Sequence, residues 1–495
     1  MYPGKRLFSI LSSVKFGRGA ARTGMAVIAA ASVCLLAPGP ATARSLAGQI
    51  AGLLASPQLR GASVGINIVE LTKRGPSPIY SFHPRLALMP GSNGKLLTTS
   101  AIFDRLGSRA MIQTRLYQVG DNLVIVGGGD PALGDPVLCQ RAGWKVTTPF
   151  DNWATHLKAL RDTHFHDIVV DDSIFNQHFR NPKWPGDGQR LDWYEAPVGG
   201  LNFSLNCVQW TPVVYNNGGI GVKLVPESPF TPVTIQAHRG PLQSCWMWRA
   251  PGSNHFYLRG QVRSTSDYAM QATIYDPGLF TGNVLRQSLV NQGISISGVV
   301  KRGTLAASAA TGGQPRLLAT YETPLLDILH RANTDSINLM AECMCKLLGH
   351  LATGQPGSWA NGDAAIMSWL GKMGVGPQLV HMVDGSGLSH FDHIAPVALT
   401  AVLSKMAYRS DGRAFIDTLC RPGHGTLIHR FMGSPVGRHV RAKDGHITGA
   451  STISGYLFVG HRTFVFSIMC NYYHGNVNPW QDRLVIDLYN WALHH

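Results

Sequence analysis

The amino-acid sequence predicts an α/β protein: an antiparallel sheet with helices, assembled from both ends of the chain, carrying a large inserted region of one or two β-rich modules. Three observations predict this. Residues 62–111 read as two strands and a helix. Residues 325–493 read as helices, then three antiparallel strands, then a last helix. The stretch around 208–273 between them is rich in strand and turn residues. A layered domain that stops after one helix and resumes with helices and strands has an insertion between its parts.

Taken in order, Ser45 to Leu54 reads as a helix. Ala62 to Glu70 is rich in β-branched residues and partly alternates, so a strand, with Ile79–Phe82 as its hairpin partner. The apolar, Thr-rich run from Leu96 to Ile102 reads as a buried helix, after a Pro90-Gly91 turn. Ile112 to Val126 reads as strands ending at Gly127-Gly128-Gly129-Asp130-Pro131. That glycine run lacks the spacing of a phosphate loop and reads as a turn. Asp151–Asp162 is helical, Asp167–Phe175 a buried strand, 282–292 a helix and 294–302 a strand. Leu325–Ala332, Ser336–Leu348, Asp363–Lys372 and Val397–Ala407 have helical patterning. Strands at 438–443, 449–459 and 462–470 and an amphipathic segment near 483–493 close the chain. The expected domains are 44–111 with 315–495, an inserted domain of 112–207 with 274–314, and a β-rich module at 208–273.

Five basic residues (Lys5, Arg6, Lys15, Arg18, Arg22) precede an apolar run, Met25–Ala37, which ends at Pro38-Gly39-Pro40. Ala41-Thr42-Ala43 has the small-x-small form of a signal-peptidase site, so residues 1–43 are expected to be a signal peptide. The mature chain is then expected outside the cytoplasm, in the periplasm or cell envelope. Cleavage removes five of the basic residues and no acid, which takes the net charge from +15 to +10. No basic block or aromatic–basic repeat accompanies that charge, so nucleic acid is not expected as a partner. Peripheral attraction to anionic envelope components is. Seven of the eight cysteines follow the cleavage site, with Cys207 and Cys245 flanking the first half of the β-rich module as the favoured disulfide. No His/Cys group has metal-ligand spacing.

Three short motifs carry chemistry. Ser92 and Lys95 form S-x-x-K, which places a hydroxyl and an amine on one helical face, so that the amine can take the serine's proton. Ser336-Ile337-Asn338 sits at a helix start, where a hydroxyl and an amide can face a cleft; the competing reading is an N-cap. Lys443-Asp444-Gly445 ends a strand. A lysine there can hold a carboxylate, and a glycine leaves backbone open for a substrate; a plain Asp-Gly turn is the bland alternative. The order S-x-x-K, S-x-N, K-x-G is far more specific than any one of them.

With these motifs the chain resembles the D-alanyl-D-alanine carboxypeptidase/endopeptidase family, the low-molecular-mass class C penicillin-binding proteins. Gly129-Asp130-Pro131-Ala132-Leu133, Asp171–Phe175, Ala196-Pro197, Asp384–Ser389 and Gly449–Tyr456 are similar to further family segments. The long gap between Lys95 and Ser336 matches the family's insertion. The resemblance implies a penicillin-binding/β-lactamase-like transpeptidase domain, peptidoglycan stem peptides as substrates, acylation by β-lactam antibiotics, and no metal or organic cofactor. It makes Ser92 the nucleophile, Lys95 its base, Ser336 a proton relay, Asn338 an orienting amide and Lys443 an electrostatic and carboxylate-binding group. The backbone N–H groups of Ser92 and His446 would form the oxyanion hole, Gly445 would leave its backbone open for the substrate to pair with, and Asp171 matches an acid that contacts a diaminopimelate amine. Asp444 replaces the family's usual threonine in K-T-G, and His446 its small hydroxyl residue. An ionised Asp444 would repel a substrate carboxylate. Either substrate preference has shifted, or Asp444 turns away, or activity is reduced, which would leave a peptidoglycan-binding homologue.

Overall fold

Alternation in Ser63–Thr72 puts Val64, Ile66 and Ile68 on one face, and all three are buried. This strand lies inside a five-stranded antiparallel sheet ordered Val440–Ile447, Ala450–Val459, Arg462–Asn471, Ser63–Thr72, Gly75–Phe82. The strand from the start of the chain pairs directly with one near its end, Ile66 opposite Ile468. The structure is a computed structural model that describes residues 45–495; the expected signal peptide lies outside the described residues.

Helices cover both faces of this sheet. On one, Leu46–Leu54 and Asn478–His494 pack Leu46, Ile50, Leu484 and Leu488 onto Ile66, Ile68 and Phe466. On the other, Lys95–Leu106, Asn338–Thr353 and Pro396–Ala407 pack against Tyr456, Val465 and Met469. Every residue from Lys95 to Phe103 is buried, so this helix runs through the middle of its layer. Two of its hydroxyls are satisfied internally: Thr98 Oγ1 donates to the Gly385 carbonyl at 2.8 Å and Thr99 Oγ1 to the Lys95 carbonyl at 2.7 Å.

A second five-stranded sheet, of mixed sense, is ordered Val300–Arg302, Ile168–Asp171, Asn122–Val126, Met111–Val119, Arg316–Pro324. It therefore includes the strand 316–324, beyond the boundary expected at 314. Thr148–Ala159 and Pro277–Asn291 cover it. Residues 207–273 form separate three- and four-stranded sheets.

The expected Cys207–Cys245 disulfide is not formed. Cys207 begins the strand 207–214 of the three-stranded sheet, opposite Thr273, and is buried. Cys245 lies in the four-stranded sheet opposite Gly260. Flanking one module in sequence put the two on different sheets, and all seven described cysteines are free thiols.

Candidate active site

Pro90 leads into a single 3-10 turn, Gly91–Gly94, and the α-helix begins at Lys95. The turn carries Ser92 and the first helical residue carries the lysine, so the two side chains converge: Lys95 Nζ donates to Ser92 Oγ at 2.9 Å. The backbone here is closely packed. A Cβ on Gly94 would come within 3.0 Å of Gly387, and one on Gly91 within 3.0 Å of the His446 nitrogen. Gly387 has φ 77° and its own Cβ would meet the Gly91 carbonyl oxygen at 1.9 Å, so only glycine fits there.

Lys95 is completely buried. Its Nζ also donates to Asn338 Oδ1 at 2.6 Å and to the Ser386 carbonyl at 3.1 Å, and no carboxylate ion-pairs with it among the described residues. Burial, then the positive charge of Lys443, pushes the amine down from 10.5 to about 7. A change of that size is on the order of 5 kcal/mol in favour of the neutral amine. A neutral Lys95 is a base; a lysine of ordinary pKa is not.

Ser336 and Asn338 come from the other side of the cleft. Ser336 Oγ donates to Ser92 Oγ at 3.0 Å. The helix begins at Asn338 with Ile337 as its cap residue, so Ser336 stands just outside it and caps nothing. Its φ is 61°, a left-handed conformation that costs a serine roughly 1–3 kcal/mol. The surroundings enforce it. Ile337 N–H donates to the Arg331 carbonyl at 3.1 Å, and Thr334 Oγ1 to the Thr418 carbonyl at 2.9 Å. The Arg331 guanidinium grips Asp335 and, at 2.9 Å, buried Asp135 of the inserted region. Asn338 Nδ2 donates to the Tyr194 carbonyl at 2.8 Å, which fixes which end of the amide faces Lys95.

The third motif lies on the sheet's edge strand, Val440–Ile447. Ala442 N–H turns outward to the Cys420 carbonyl at 2.9 Å. By period-two alternation the N–H groups of Asp444 and His446 face the same way. Gly445 touches the nucleophile turn: a Cβ there would meet the Pro90 carbonyl at 2.4 Å and the Asn93 nitrogen at 2.9 Å. Thr452 Oγ1 donates to that Pro90 carbonyl at 2.6 Å. The Asn93 amide, oriented as its partners require, donates to the Lys443 carbonyl at 2.7 Å. The His446 N–H thus faces the turn that holds Ser92, as an oxyanion donor must.

Lys443 is fully buried, and its Nζ donates to the Asp444 carbonyl at 2.6 Å and pairs with Asp444 Oδ1 at 3.2 Å. Thr426 Oγ1 donates to the same Oδ1. Burial raises the Asp444 carboxyl, but the Lys443 charge and the Thr426 hydroxyl outweigh it and hold the group below its ordinary value. Asp444 is therefore an ionised group turned onto Lys443 and Thr426.

The structure brings Ser92, Lys95, Ser336 and Asn338 into direct contact and sets Lys443, Asp444, Gly445 and His446 beside them. It does not bring Asp171 into that network among the described contacts. Asp171 is buried at the end of a strand of the second sheet, where Oδ1 accepts from Ser173 Oγ at 2.6 Å and Oδ2 from Leu305 N–H at 2.7 Å. Three participants were missed from sequence: the carbonyls of Tyr194 and Ser386, and the Thr426 hydroxyl. Asp384–Ser389 had been singled out as a segment without a role. Its Asp384 carboxylate accepts from the N–H groups of Ser386, Gly387 and Ser389 at 2.7–3.0 Å, shaping the loop that offers Ser386 to Lys95.

Residues 46–490 match the D-Ala-D-Ala carboxypeptidase 3 (S13) family. The chain belongs to that family. As an S13 protein it is a serine-type carboxypeptidase. The D-alanyl-D-alanine carboxypeptidase of Actinomadura sp. (strain R39) is 24% identical over 522 aligned residues, covering 97% of this chain and 92% of that one. Carboxypeptidase DacB of Mycolicibacterium smegmatis is 24% identical, covering 89% of this chain and 82% of its own. The crystal structure of penicillin binding protein 4 (dacB) from Haemophilus influenzae superposes with a TM-score of 0.70 at 20% identity, over 87% of this chain and 98% of that one. The S13 chain thus has the penicillin-binding/β-lactamase-like fold expected from its motifs.

Proposed function

We propose that the protein is an exported D-Ala-D-Ala carboxypeptidase/endopeptidase that cleaves peptidoglycan stem peptides through an acyl-serine intermediate and is acylated by β-lactams. The observation that carries this is the buried Lys95, its amine pushed to about 7 and 2.9 Å from Ser92 Oγ. Ser92 Oγ attacks the carbonyl of the penultimate D-alanine while its proton passes to neutral Lys95. The oxyanion is held by the Ser92 and His446 N–H groups. The proton returns through Ser336 to the leaving amine, the C–N bond breaks, and the acyl-enzyme remains. Water then hydrolyses the ester.

Export is supported by the signal-like segment ahead of Ala43, and peripheral envelope association by the net charge of +10 that remains after it. The second reading, a peptidoglycan-binding homologue with impaired turnover, rests on Asp444. The partners of Asp444 favour the catalytic reading, because its charge is offset by Lys443 and Thr426. The test is labelling of the mature protein by a fluorescent penicillin beside Ser92→Ala and Asp444→Thr. Wild type is expected to label, Ser92→Ala not to, and Asp444→Thr to label faster. A folded wild type that does not label would overturn the β-lactam-sensitive enzyme in favour of the binding protein.

A further inference from the structure

One turn along the helix from Asn338 stands an acid that the three motifs leave without a role. Glu342 is completely buried. Its Oε2 accepts from the Trp359 indole N–H at 2.6 Å and from the Gly385 N–H at 3.0 Å. Gly385 begins the stretch of loop that meets the nucleophile helix. Its carbonyl takes the Thr98 hydroxyl at 2.8 Å, and the next carbonyl, that of Ser386, takes the Lys95 amine at 3.1 Å. A Cβ on Gly385 would meet the Ala341 carbonyl oxygen at 2.7 Å, so the loop lies directly on the helical turn that carries Glu342. A continuous path of hydrogen bonds and backbone thus runs from Trp359 through Glu342 and Gly385 to Lys95.

The way polar atoms are shared here sets which acid carries a proton. Four N–H groups converge on the buried Asp384 carboxylate, those of Ser386, Gly387 and Ser389 and the Trp184 indole. Such a set of donors suits an anion. Glu342 has two donors, both on Oε2. Its Oε1 is buried without a hydrogen bond, and the Ser386 hydroxyl, close enough to act on this carboxyl, is equally unpaired. A proton on Oε1 turns the orphaned acceptor into a donor for that hydroxyl oxygen. Burial, and then the Asp384 charge, drives the Glu342 carboxyl far above its ordinary range in the same sense. No cation pairs with it among the described residues: Lys346, one turn on, gives its amine to Asn176 Oδ1 at 3.1 Å and to the His178 carbonyl at 2.7 Å. The nearby acids Asp363 and Asp392 are likewise raised by burial and by Asp384, and burial drives the Cys343 and Cys345 thiols up. From the edge strand, Lys443 and Asp444 act on Lys95.

The Ser386 carbonyl matters because a neutral amine has two hydrogens and one lone pair. With the hydrogens given to Asn338 Oδ1 and the Ser386 carbonyl, the lone pair is left for the proton of Ser92 Oγ, 2.9 Å away. An ionised Glu342 would undo this, since a negative charge there favours the protonated amine. We propose that Glu342 is a positioning residue for acylation: held as a neutral acid, it anchors the Asp384–Ser389 loop through Gly385 so that the Ser386 carbonyl orients the Lys95 amine, and it adds no charge that would keep that amine protonated. This rests on the acyl-serine reading above and adds to it a residue that touches none of the reacting atoms.

The test follows penicillin acylation against pH in the full mature chain, for wild type, Glu342→Met and Glu342→Gln. Methionine keeps the length of the side chain and removes the acceptor that holds Gly385. Glutamine keeps that acceptor and offers an N–H where the acid's proton would stand. The plateau rate is expected to fall at least about tenfold in Glu342→Met, because a misaimed base is costly. Glu342→Gln should restore it to within about threefold of wild type, with an acid-limb midpoint within about 0.3 of a pH unit of wild type, since one neutral group replaces another. A larger downward displacement of that midpoint would show that Glu342 is an anion that helps Lys95 hold its proton, and would overturn the proposal. A smaller loss in Glu342→Met, or no restoration in Glu342→Gln, would overturn it as well. Denaturant melts establish that each variant is folded; if Glu342→Met is not, the rate and midpoint of Glu342→Gln decide. If wild type is not acylated at all, the acyl-serine reading has failed separately. Infrared difference spectra at pH 7 then decide the state of Glu342: loss of a carboxylic-acid band in Glu342→Gln supports the neutral acid, and no such loss overturns it.

Discussion

Two lysines border the cleft, both fully buried, in opposite company. Lys95 is surrounded by neutral oxygens, from Ser92, Asn338 and Ser386. Lys443 sits against the carboxylate of Asp444, which accepts from Thr426 as well. Without an adjacent anion, burial and the neighbouring cation bring the Lys95 amine to about 7. With one, the Lys443–Asp444 pair keeps its carboxylate ionised. Depth of burial is the same, so it does not decide the role. The partner within reach does: one lysine is brought near neutrality, as the proposed base requires, and the other supplies a positive charge that helps lower it.

The largest test of this contrast is Lys95→Met. Loss of a general base is expected to slow penicillin acylation on the order of 10²–10⁴-fold, read by stopped-flow or gel labelling. The same variant has a stability signature. Unfolded Lys95 holds its proton up to 10.5, whereas folded Lys95 releases it near 7. The unfolded state therefore binds more protons between those values, so burial of this lysine costs stability most below pH 7, and the cost shrinks as pH rises towards 10.5. Denaturant melts should show wild type gaining stability relative to Lys95→Met across that window. A parallel pH dependence in both proteins would mean that Lys95 is an ordinary, charged lysine.

In wild type the acid limb of acylation comes next in size. Below a midpoint near pH 7 the rate should fall about tenfold per pH unit as Lys95 becomes protonated. A rate flat down to pH 5 would assign the base elsewhere.

What was legible in the sequence follows the same division between side chains and backbone. Ser92, Lys95, Ser336 and Asn338 were readable because a reactive side chain at a fixed spacing leaves a mark in the sequence. The central sheet was readable because apolar alternation marks its strands, as at Val64, Ile66 and Ile68. The carbonyls of Tyr194 and Ser386 were not, since every residue has one and only the fold selects which faces Lys95. Thr426 was hidden for a related reason: its loop reaches the edge strand through the Cys420–Ala442 pairing, which is set by tertiary packing. Ser336 was expected inside a helix, and its left-handed φ of 61° comes from the Arg331 and Thr418 contacts around it, not from a local preference of serine. The pairing of Cys207 with Cys245 failed because nearness to one module in sequence says nothing about which sheet each strand joins.

The finest test uses the charges that act on Lys95 from a distance. Lys443 lowers its pKa and Asp444 raises it. The two neutralising variants should therefore move the acid limb in opposite directions. Lys443→Met removes the repelling cation, so Lys95 holds its proton more tightly and the midpoint moves up. Asp444→Asn removes the attracting anion and leaves Lys443 less compensated, so the midpoint moves down. Each displacement is expected to be some tenths of a pH unit, because a charge beyond hydrogen-bond distance acts through a high effective dielectric. Opposite signs can come only from electrostatic coupling between the edge strand and the nucleophile turn. Shifts of the same sign would mean that both substitutions act by disturbing the packing of Gly445 on Pro90 and Asn93, and that the edge-strand charges do not reach Lys95.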